Sequence, residues 1–297
     1  MREPAVIRML PDGRRLHLHD GPIDLIVEAN GSASNIHAAY QAAAQRFPTI
    51  LDELCAELFS LRSRATSNAA PLASPIAQRM SDAVAPYAVE IFITPMAAVA
   101  GAVAETILET MTSAASLDRA YVNNGGDIAL HLAPGSNYTI GMIGRPDRPS
   151  LFGSFTISYA TNIRGVATSG WRGRSFSLGI ADAVTVLAAC AADADAAATV
   201  IANAVNLRHH SSILRVPARE IAPDSDLGDL LVTRNVGHLS DSDRREALSA
   251  GAQVAESLLA RHLISACALS LQGQTCVVSE PHAELPLELS AGRLVHA

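Results

Sequence analysis

The segment Asn124-Gly125-Gly126-Asp127 combines residue types that can bind a small molecule. Consecutive glycines allow positive φ angles and a close approach of the backbone to a ligand, while the amide and the carboxylate form directed hydrogen bonds. The same residue types are common in the tight turn of a β-hairpin, and by itself the segment favours that turn. It therefore has two interpretations, a ligand-binding turn and a plain hairpin turn.

A second candidate segment runs from Gly165 to Arg174, where hydroxyls, glycines and two arginines follow a predicted strand. Backbone N–H groups and hydroxyls in a loop suit phosphate or carboxylate oxygens, and arginine adds a bidentate positive charge. An ordinary turn with solvated arginines explains the segment equally well. The ligand contacts expected from this loop are Thr168, Ser169, Gly170 and Arg172.

Asp195 and Thr199 are four residues apart in a predicted helix, which places both side chains on one helical face. Their oxygens are hard donors of the kind that Mg²⁺ and Ca²⁺ prefer. An Asp in the first turn of a helix is more often a partner of the helix dipole, so the spacing alone favours that structural role.

Several kinds of chemistry are excluded or unsupported by the residue types present. All 22 basic residues are Arg, which rules out a Schiff-base lysine, a P-loop lysine and a lysine general base. The histidines lack metal-ligand spacing, and no nucleophile elbow or dinucleotide-binding glycine motif is present. The four cysteines have no C-x-x-C spacing and are predicted to be reduced core residues.

The first half of the chain is predicted to form a hairpin, several helices and then short strands. Alternating apolar residues on both sides of the turn at 20–22 predict the hairpin. The helical run from Ile36 to Arg64 contains Pro48, which predicts two helices or a kink there. The further predicted elements are a loop at Thr66–Ser74, a helix at Pro75–Ala85, a helix capped by Thr94 and running to Met111, and strands at 120–122, 128–132, 138–143 and 154–159.

In the second half, a strand at 184–187 is predicted to lead into a helix at about 191–205. A helix beginning at Ser240, with a capping-box pattern to Asp243, runs to about Arg261. Two strands at 263–270 and 274–278 and a tail containing Pro and Glu follow. The fold class is therefore α+β, with a mixed or antiparallel sheet and packed helices. We expect a single domain over residues 1–297, with two closely packed halves divided near 112–118 as the alternative.

Four segments in this order resemble the ApbE-like superfamily, which includes Mg²⁺-dependent FAD:protein FMN transferases. The segments are TPMAAVAGAVAE at Thr94–Glu105, NGGD at Asn124–Asp127, ATSG at Ala167–Gly170 and AVTVLAACAADADAAAT at Ala183–Thr199. The opening HDGPIDLI at His19–Ile26 is closer still to a shorter cytoplasmic sister family of unassigned function. The resemblance implies an ApbE-like fold.

The resemblance also implies site residues and ligands. It makes Asp195 and Thr199 candidate metal ligands, with the backbone carbonyl of Ala97 as a third, and it favours ligand binding at the two loops. Mg²⁺ and FAD or FMN are the implied cofactors. However, the transferases have a Lys where this chain has Ala100, and they have a His-containing segment where it has only residues 171–182. Flavinyl transfer is therefore not expected, and no residue is assigned a catalytic role.

The functional expectation is an ApbE-like protein that binds a phosphate-bearing or flavin- or pterin-like small molecule, with Mg²⁺. The alternatives are a non-catalytic cofactor-binding or assembly protein and an enzyme of one-carbon cofactor biosynthesis. Net charge of −7 with dispersed arginines argues against nucleic acid, and no apolar run is long enough for a membrane span. We expect a cytoplasmic protein. Its Ala- and Gly-rich helices fit a homodimer as readily as an intramolecular core.

Overall fold

The computed structural model describes residues 3–66, 69–143, 151–280 and 287–289. The structure separates into two units by residue contacts. The first contains residues 1–137, 158–167 and 189–196, and the second contains residues 138–157, 168–188 and 197–297. The boundary expected near 112–118 falls inside the first unit, and the single-domain organisation stays a prediction. Most of the predicted tail lies outside the described residues.

An antiparallel sheet forms one layer of the first unit. Burial alternates along its second and third strands because one face packs on the helices and the other does not. The predicted hairpin is confirmed, whereas the first strand was not predicted. In spatial order the strands are β1 (Val6–Met9), β2 (Leu16–Asp20), β3 (Ile23–Asn30), β4 (Arg119–Asn124), β5 (Asp127–Leu132) and β8 (Gly165–Ser169).

Helices cover the apolar face of this sheet. The helices are α1 (Ala33–Ala56), α2 (Leu58–Leu61), α3 (Pro75–Val84) and α4 (Val99–Ala114). Ser32 caps α1 by accepting the N–H of Asn35, and Phe47 and Ile50 on α1 are fully buried. The α4 helix packs against α1, β4 and β5. This packing fixes the start of α4 next to the β4–β5 hairpin.

Two details of the predicted helices are corrected. Of the two alternatives predicted at Pro48, separate helices are wrong, because α1 continues through the proline and the break comes at Glu57, whereas a kink stays a prediction. A core-facing stripe that includes Phe47 and Ile50 continues on both sides of the proline, which accounts for helix formation despite the lost hydrogen bond. Thr94 precedes a 3₁₀ turn at Pro95–Ala98 rather than α4 itself, and its side chain makes no capping bond.

The described part of the second unit contains three groups of hydrogen-bonded strands. The strands β9 (Ala183–Ala188), β12 (Ala266–Leu271) and β13 (Gln274–Ser279) are antiparallel and form the first of them. A second sheet contains β6 (Asn137–Ile143), β7 (Leu151–Ser158) and β14 (Leu287–Leu289), and a third pairs β10 (Ile213–Pro217) with β11 (Leu231–Val236). The predicted strands of this half are confirmed, whereas no prediction covered β10 and β11.

Three further helices follow in the described residues. They are α5 (Ala191–Ala204), whose residues 191–196 belong to the first unit, α6 (Ala218–Ile221) and α7 (Asp241–Ala260). The predicted capping box is present on α7, where Ser240 and Asp243 exchange side-chain to backbone bonds. The helix packs on β12 and β13. The α+β class with antiparallel sheets is confirmed.

Two properties of the described residues bear on earlier expectations. None of the helices in this part of the chain has the length and apolarity that crossing a membrane requires. All four cysteines are free thiols, but only Cys267 and Cys276 are buried. Cys55 is exposed on α1, so its assignment to the core is wrong. It lies outside the apolar stripe of that helix.

Candidate functional site

The NGGD segment forms the two-residue turn of the β4–β5 hairpin. Asn124 and Asp127 are paired across the hairpin, and Gly125 and Gly126 have φ angles of 67° and 118°. The N–H of Gly126 donates to Oδ1 of Asn123 at 2.8 Å. Only glycine adopts these angles without strain, so the hairpin alone accounts for both glycines. A ligand role for this turn stays a prediction.

Asn124 links the turn to the beginning of α4. Its side chain is 5% exposed, and its Nδ2 donates to the backbone oxygen of Ala100 at 3.2 Å. A buried amide that donates to a main-chain oxygen holds its neighbours in register, because breaking that bond would leave a buried polar group unsatisfied. Asn124 thereby fixes Asp127, its hairpin partner, near the first turn of α4.

Asp195 reaches the same helix start from α5. The N–H of Gly101 donates to Oδ2 of Asp195 at 2.9 Å, and the N–H of Ala100 also bonds to this carboxyl group. The first N–H groups of a helix have no intrahelical partner and carry partial positive charge, so a carboxylate is a suitable acceptor. The sequence predicted that Asp195 interacts with the dipole of its own helix. In the structure it interacts with a helix N-terminus, but that of α4 rather than α5.

The carboxyl groups of Asp195 and Asp127 influence each other. Burial raises the pKa of Asp195 well above its usual range, and the negative charge of Asp127 raises it further, while the N–H groups of Gly101 and Ala100 oppose both effects. Two carboxylates in one partly desolvated place favour either a shared proton or a bound cation. This pair, separated by 68 positions in the sequence, is the main feature that sequence reasoning missed.

Close backbone packing brings α5 to this position. A Cβ atom on Gly101 would lie 2.2 Å from the backbone oxygen of Ala191, and one on Gly165 would lie 2.0 Å from that of Cys190. Any side chain at either position would collide with the start of α5. The Gly101 in the TPMAAVAGAVAE segment thus has a packing role, since it lets Asp195 reach the N–H groups of α4.

Glu105 holds the beginning of α5 from the other side. Its Oε2 accepts the N–H of Ala192 at 3.3 Å, and its Oε1 forms an ion pair with Nε of Arg79 at 3.1 Å. A carboxylate at the N-terminus of a helix satisfies a free N–H and interacts favourably with the helix dipole. Glu105 therefore positions α5, and with it the carboxyl group of Asp195.

The second predicted segment, from Gly165 to Arg174, is a loop only in its second half. Gly165–Ser169 forms strand β8, and only the part from Gly170 onward is a turn. Thr168 Oγ1 lies 3.0 Å from Thr185 Oγ1, and a Cβ atom on Gly170 would lie 2.6 Å from the oxygen of Asp182. β-branched Val166 and Thr168 favour this strand, although the flanking glycines and hydroxyls had indicated a loop.

Arg172 is not a solvated arginine. Its Nε donates to Oδ1 of Asp182 at 2.7 Å, and its guanidinium lies 4.2 Å from the ring centre of Trp171. Asp182 is buried, and its Oδ2 accepts the N–H of Gln272 at 2.6 Å. A buried carboxylate requires such partners, so this ion pair has a structural role in the second unit. Ligand binding by Thr168, Ser169, Gly170 and Arg172 stays a prediction.

The remaining predicted metal ligands are placed as follows. Ala97 lies in the 3₁₀ turn before α4, where its N–H donates to the oxygen of Thr94 at 3.1 Å. Thr199 lies on α5 in residues assigned to the second unit. No group of three or more His, Cys, Asp or Glu side chains within the described ranges is arranged to hold a metal. Metal binding by Asp195, Thr199 and Ala97 is thus still a prediction.

A small apolar cavity of about 50 Å³ lies within the second unit. Its walls include Met142 and Phe155 from the β6–β7 sheet and Thr185, Leu187 and Ala268 from the β9–β12–β13 sheet. A space of this size admits only a few water-sized groups. The cavity was not predicted, because it depends on how two sheets meet rather than on any local pattern.

Comparison with known proteins gives a family match over most of the chain. A family model described as AbpE bacteria matches residues 7–277. The UPF0280 proteins of Methanopyrus kandleri and Methanothrix thermoacetophila are 40% identical over 132 residues and 38% identical over 145 residues. These matches cover 44% and 45% of this chain, and 49% and 53% of the two relatives. The chain thus spans about half the length of the curated relatives that it matches.

Two solved structures match this chain at low similarity. They are the apo form of the flavinyl transferase ApbE from Pseudomonas stutzeri and a mutant of the flavin transferase ApbE from Vibrio cholerae. The TM-score is 0.44 for both, with 12% and 10% identity, and the matches cover 95% and 97% of each pair of chains. The match of the family model over residues 7–277 is the stronger of these findings.

Proposed function

This chain belongs to the ApbE-like family described as AbpE bacteria, and from that membership we propose that it binds a phosphate-bearing small molecule of the flavin or pterin type. A divalent cation bound at Asp127 and Asp195 accompanies that ligand. The proposal concerns binding alone and assigns no reaction. The observation that carries it is the pair of carboxyl groups at the first turn of α4.

The carboxyl pair suits a hard divalent cation. The pKa of Asp195 is raised by burial and by the charge of Asp127, so the pair is costly when both groups are ionised and no cation is bound. Mg²⁺ prefers carboxylate and carbonyl oxygens and keeps several waters, so a few protein ligands suffice. In this proposal Asp195 and Asp127 are ligands, and the backbone oxygen of Ala97 adds to them.

The anionic part of the ligand is proposed to lie near the same place. The cation, when bound, neutralises charge on phosphate oxygens. The backbone at Gly125 and Gly126 has no side chains that would keep a ligand away, and Gly125 is exposed. The flavin class follows from the resemblance of four segments to flavinyl transferases. Transfer itself is not proposed, because Ala100 occupies the position of their lysine.

Titration of Mn²⁺ followed by electron paramagnetic resonance tests the cation site. We expect saturable binding to the full chain and a loss of affinity of about tenfold or more in Asp195→Asn and Asp127→Asn, because each removes a charged ligand. Asp193→Asn is the matched control, since it removes a carboxylate from the same helix, and it should bind as the unaltered chain does. Equal affinity in all four proteins would contradict the site.

Calorimetric titration of FAD, FMN and a pterin, each with and without Mg²⁺, tests the ligand class. The proposal expects binding of one of these that is stronger with Mg²⁺ and that loses its Mg²⁺ dependence in Asp195→Asn. Inorganic phosphate serves as the comparison for a site that recognises phosphate alone. If the chain binds Mn²⁺ but none of the three compounds, the cation site is supported and the proposed ligand class is contradicted.

A further inference from the structure

Strand β1 leaves one backbone edge without a partner strand in the described residues. It is the first strand of its sheet and pairs with β2 alone. All four of its residues are exposed, although three are apolar, with Val6 43%, Ile7 39% and Met9 46% exposed. A regular apolar edge strand presents N–H and C=O groups that another strand can pair with, and such edges are usually protected.

The hydrogen-bonding direction of each residue in β1 follows from its register. The N–H of Leu10 donates to the oxygen of Arg15 at 2.8 Å, in the same register that pairs Met9 with Leu16. Alternate residues of an antiparallel strand direct their N–H and C=O groups to the same side. Leu10, Arg8 and Val6 therefore bond to β2, whereas Ile7 and Met9 direct their backbone groups outward.

The side chains of β1 also divide between the two faces of the sheet. Ile7 lies opposite Leu18 and Met9 opposite Leu16, and both leucines are buried beneath the helices. Ile7 and Met9 therefore extend the apolar face of the sheet beyond its covered part. Arg8 lies on the other face, where its Nε donates to Nδ1 of His17 at 3.2 Å. The outer edge thus combines unpaired backbone groups with an uncovered apolar face.

We propose that β1 pairs antiparallel with β1 of a second copy of this chain, about a two-fold axis at Ile7. In this register Ile7 lies opposite Ile7 of the second copy, and Ala5 lies opposite Met9 in each direction. All of these residues direct their backbone groups outward, so each pair forms two hydrogen bonds. On the helical face, the side chains of Ile7, Met9 and Ala5 from both copies form one apolar cluster that removes their surface from water.

Charge and hydrogen bonding favour this register over the neighbouring symmetric one. An axis at Arg8 would place two arginines directly opposite each other in a non-hydrogen-bonded pair, where side chains are closest and like charges repel. It would also pair Ala5 with Pro11, which has no N–H to donate. With the axis at Ile7, Arg8 lies opposite Val6, and Pro11 falls at the end of the ladder.

The self-complementarity of the strand identifies a second copy as the partner. A two-fold axis requires the same short sequence to serve both sides, and the Ile7 register pairs outward-directed groups with outward-directed groups at every step. Pro4 and Pro11 flank the strand and limit the ladder to about the residues between them. The interface is therefore short, and we expect a concentration-dependent dimer rather than a permanent one.

Sedimentation equilibrium over a concentration series of the full chain tests the interface. The key variant is Ile7→Pro, which removes an outward N–H while keeping the bonds to β2, because those come from Val6, Arg8 and Leu10. Because Ile7 of each copy donates one hydrogen bond to the other copy, the variant loses two. This loss should raise the dimer dissociation constant about thirtyfold. Ile7→Val is the control and should dimerise as the unaltered chain does. Circular dichroism and a thermal melt verify that both variants fold.

Two outcomes of that series would overturn the proposal. One is an unaltered chain that stays monomeric at the highest concentrations, and the other is a folded Ile7→Pro variant with an undiminished dimer. The register has its own test in oxidative cross-linking of Ile7→Cys and Arg8→Cys, each with Cys55→Ser to remove the exposed native thiol. Cross-linking through position 7 supports the axis at Ile7. Cross-linking through position 8 alone would overturn it.

Discussion

At the scale of single residues, the carboxyl group of Asp195 experiences opposing influences. Burial and the charge of Asp127 favour its protonated form, while the N–H groups of Gly101 and Ala100 favour the ionised form. Because burial is the largest effect, the pKa in the folded chain is raised above that in the unfolded chain. The folded state therefore binds more protons, and this group lowers the free energy of unfolding as pH rises from about 4 through the folded pKa.

Replacing Asp127 by Asn should stabilise the cation-free protein at neutral pH. The change removes the negative charge next to Asp195, so the pKa of Asp195 falls and the free energy of unfolding rises by about 1 kcal/mol. Urea unfolding at pH 5 to 8 in the presence of a chelator measures this, with Asp193→Asn as the control. A gain that is absent above pH 7 would show that the two carboxyl groups are not coupled.

Gly101 tolerates no side chain, because the backbone of Ala191 occupies the position of a Cβ atom. Gly101→Ala should therefore destabilise the protein by about 3 kcal/mol, despite the higher helix propensity of alanine. Thermal unfolding measures the loss, and Ala114→Ser at the exposed end of the same helix should change stability by no more than about 0.5 kcal/mol. A stable Gly101→Ala variant that binds Mn²⁺ normally would contradict the packing of α5 on α4.

The sequence indicated some of these site residues, but it did not indicate that they lie close together in the fold. Asp195 and the NGGD turn stand out by residue type and by the family resemblance, so both were candidate site residues. Their proximity depends on contacts between elements far apart in the chain, above all on Gly101 and Gly165 against the start of α5. Pattern and propensity describe neighbours along a helix or strand, and they contain no distance between α4, α5 and the β4–β5 hairpin.

At the scale of elements, local patterns predicted most helices and strands but failed where tertiary contacts decide. The capping box at Ser240 and the hairpin at 16–27 depend on local chemistry and are confirmed. The glycines and hydroxyls of the segment at 165–174 predict a loop, whereas the structure has strand β8 in its first half. In the structure Gly165 is required by the backbone of Cys190 instead. A glycine in a strand often marks such a close approach.

The path of α1 through Pro48 gives a prediction for that helix. Proline inside a helix removes one backbone hydrogen bond and crowds the preceding turn, at a typical cost of about 3 kcal/mol. Pro48→Ala should therefore raise the free energy of unfolding by about 1 to 3 kcal/mol, the lower end reflecting the greater freedom of the unfolded chain. Urea unfolding measures the gain. Gln45→Ala at an exposed position of the same helix is the control, and a loss of stability on removing Pro48 would contradict this expectation.

At the scale of the whole molecule, the thiols report on the two units separately. Cys190 lies in the first unit and Cys267 and Cys276 in the second. Burial raises the pKa of all three, and the carboxylates of Glu105 and Asp193 add to the effect at Cys190. Cys55, also in the first unit, is exposed. A thiol reacts as its thiolate, so a buried thiol with a raised pKa stays inert until the structure around it opens.

Reaction with a disulfide reagent at pH 8 should therefore modify exposed Cys55 quickly, half-buried Cys190 more slowly, and Cys267 and Cys276 only as the protein unfolds. Cys55→Ser should abolish the fast phase, and the full count of four should appear in denaturant. Mass spectrometry after partial reaction distinguishes the thiols. One common rate for Cys267 and Cys276 would mean that the part of the second unit around them opens as a single cooperative structure. Different rates for these two buried thiols would mean that it opens in parts.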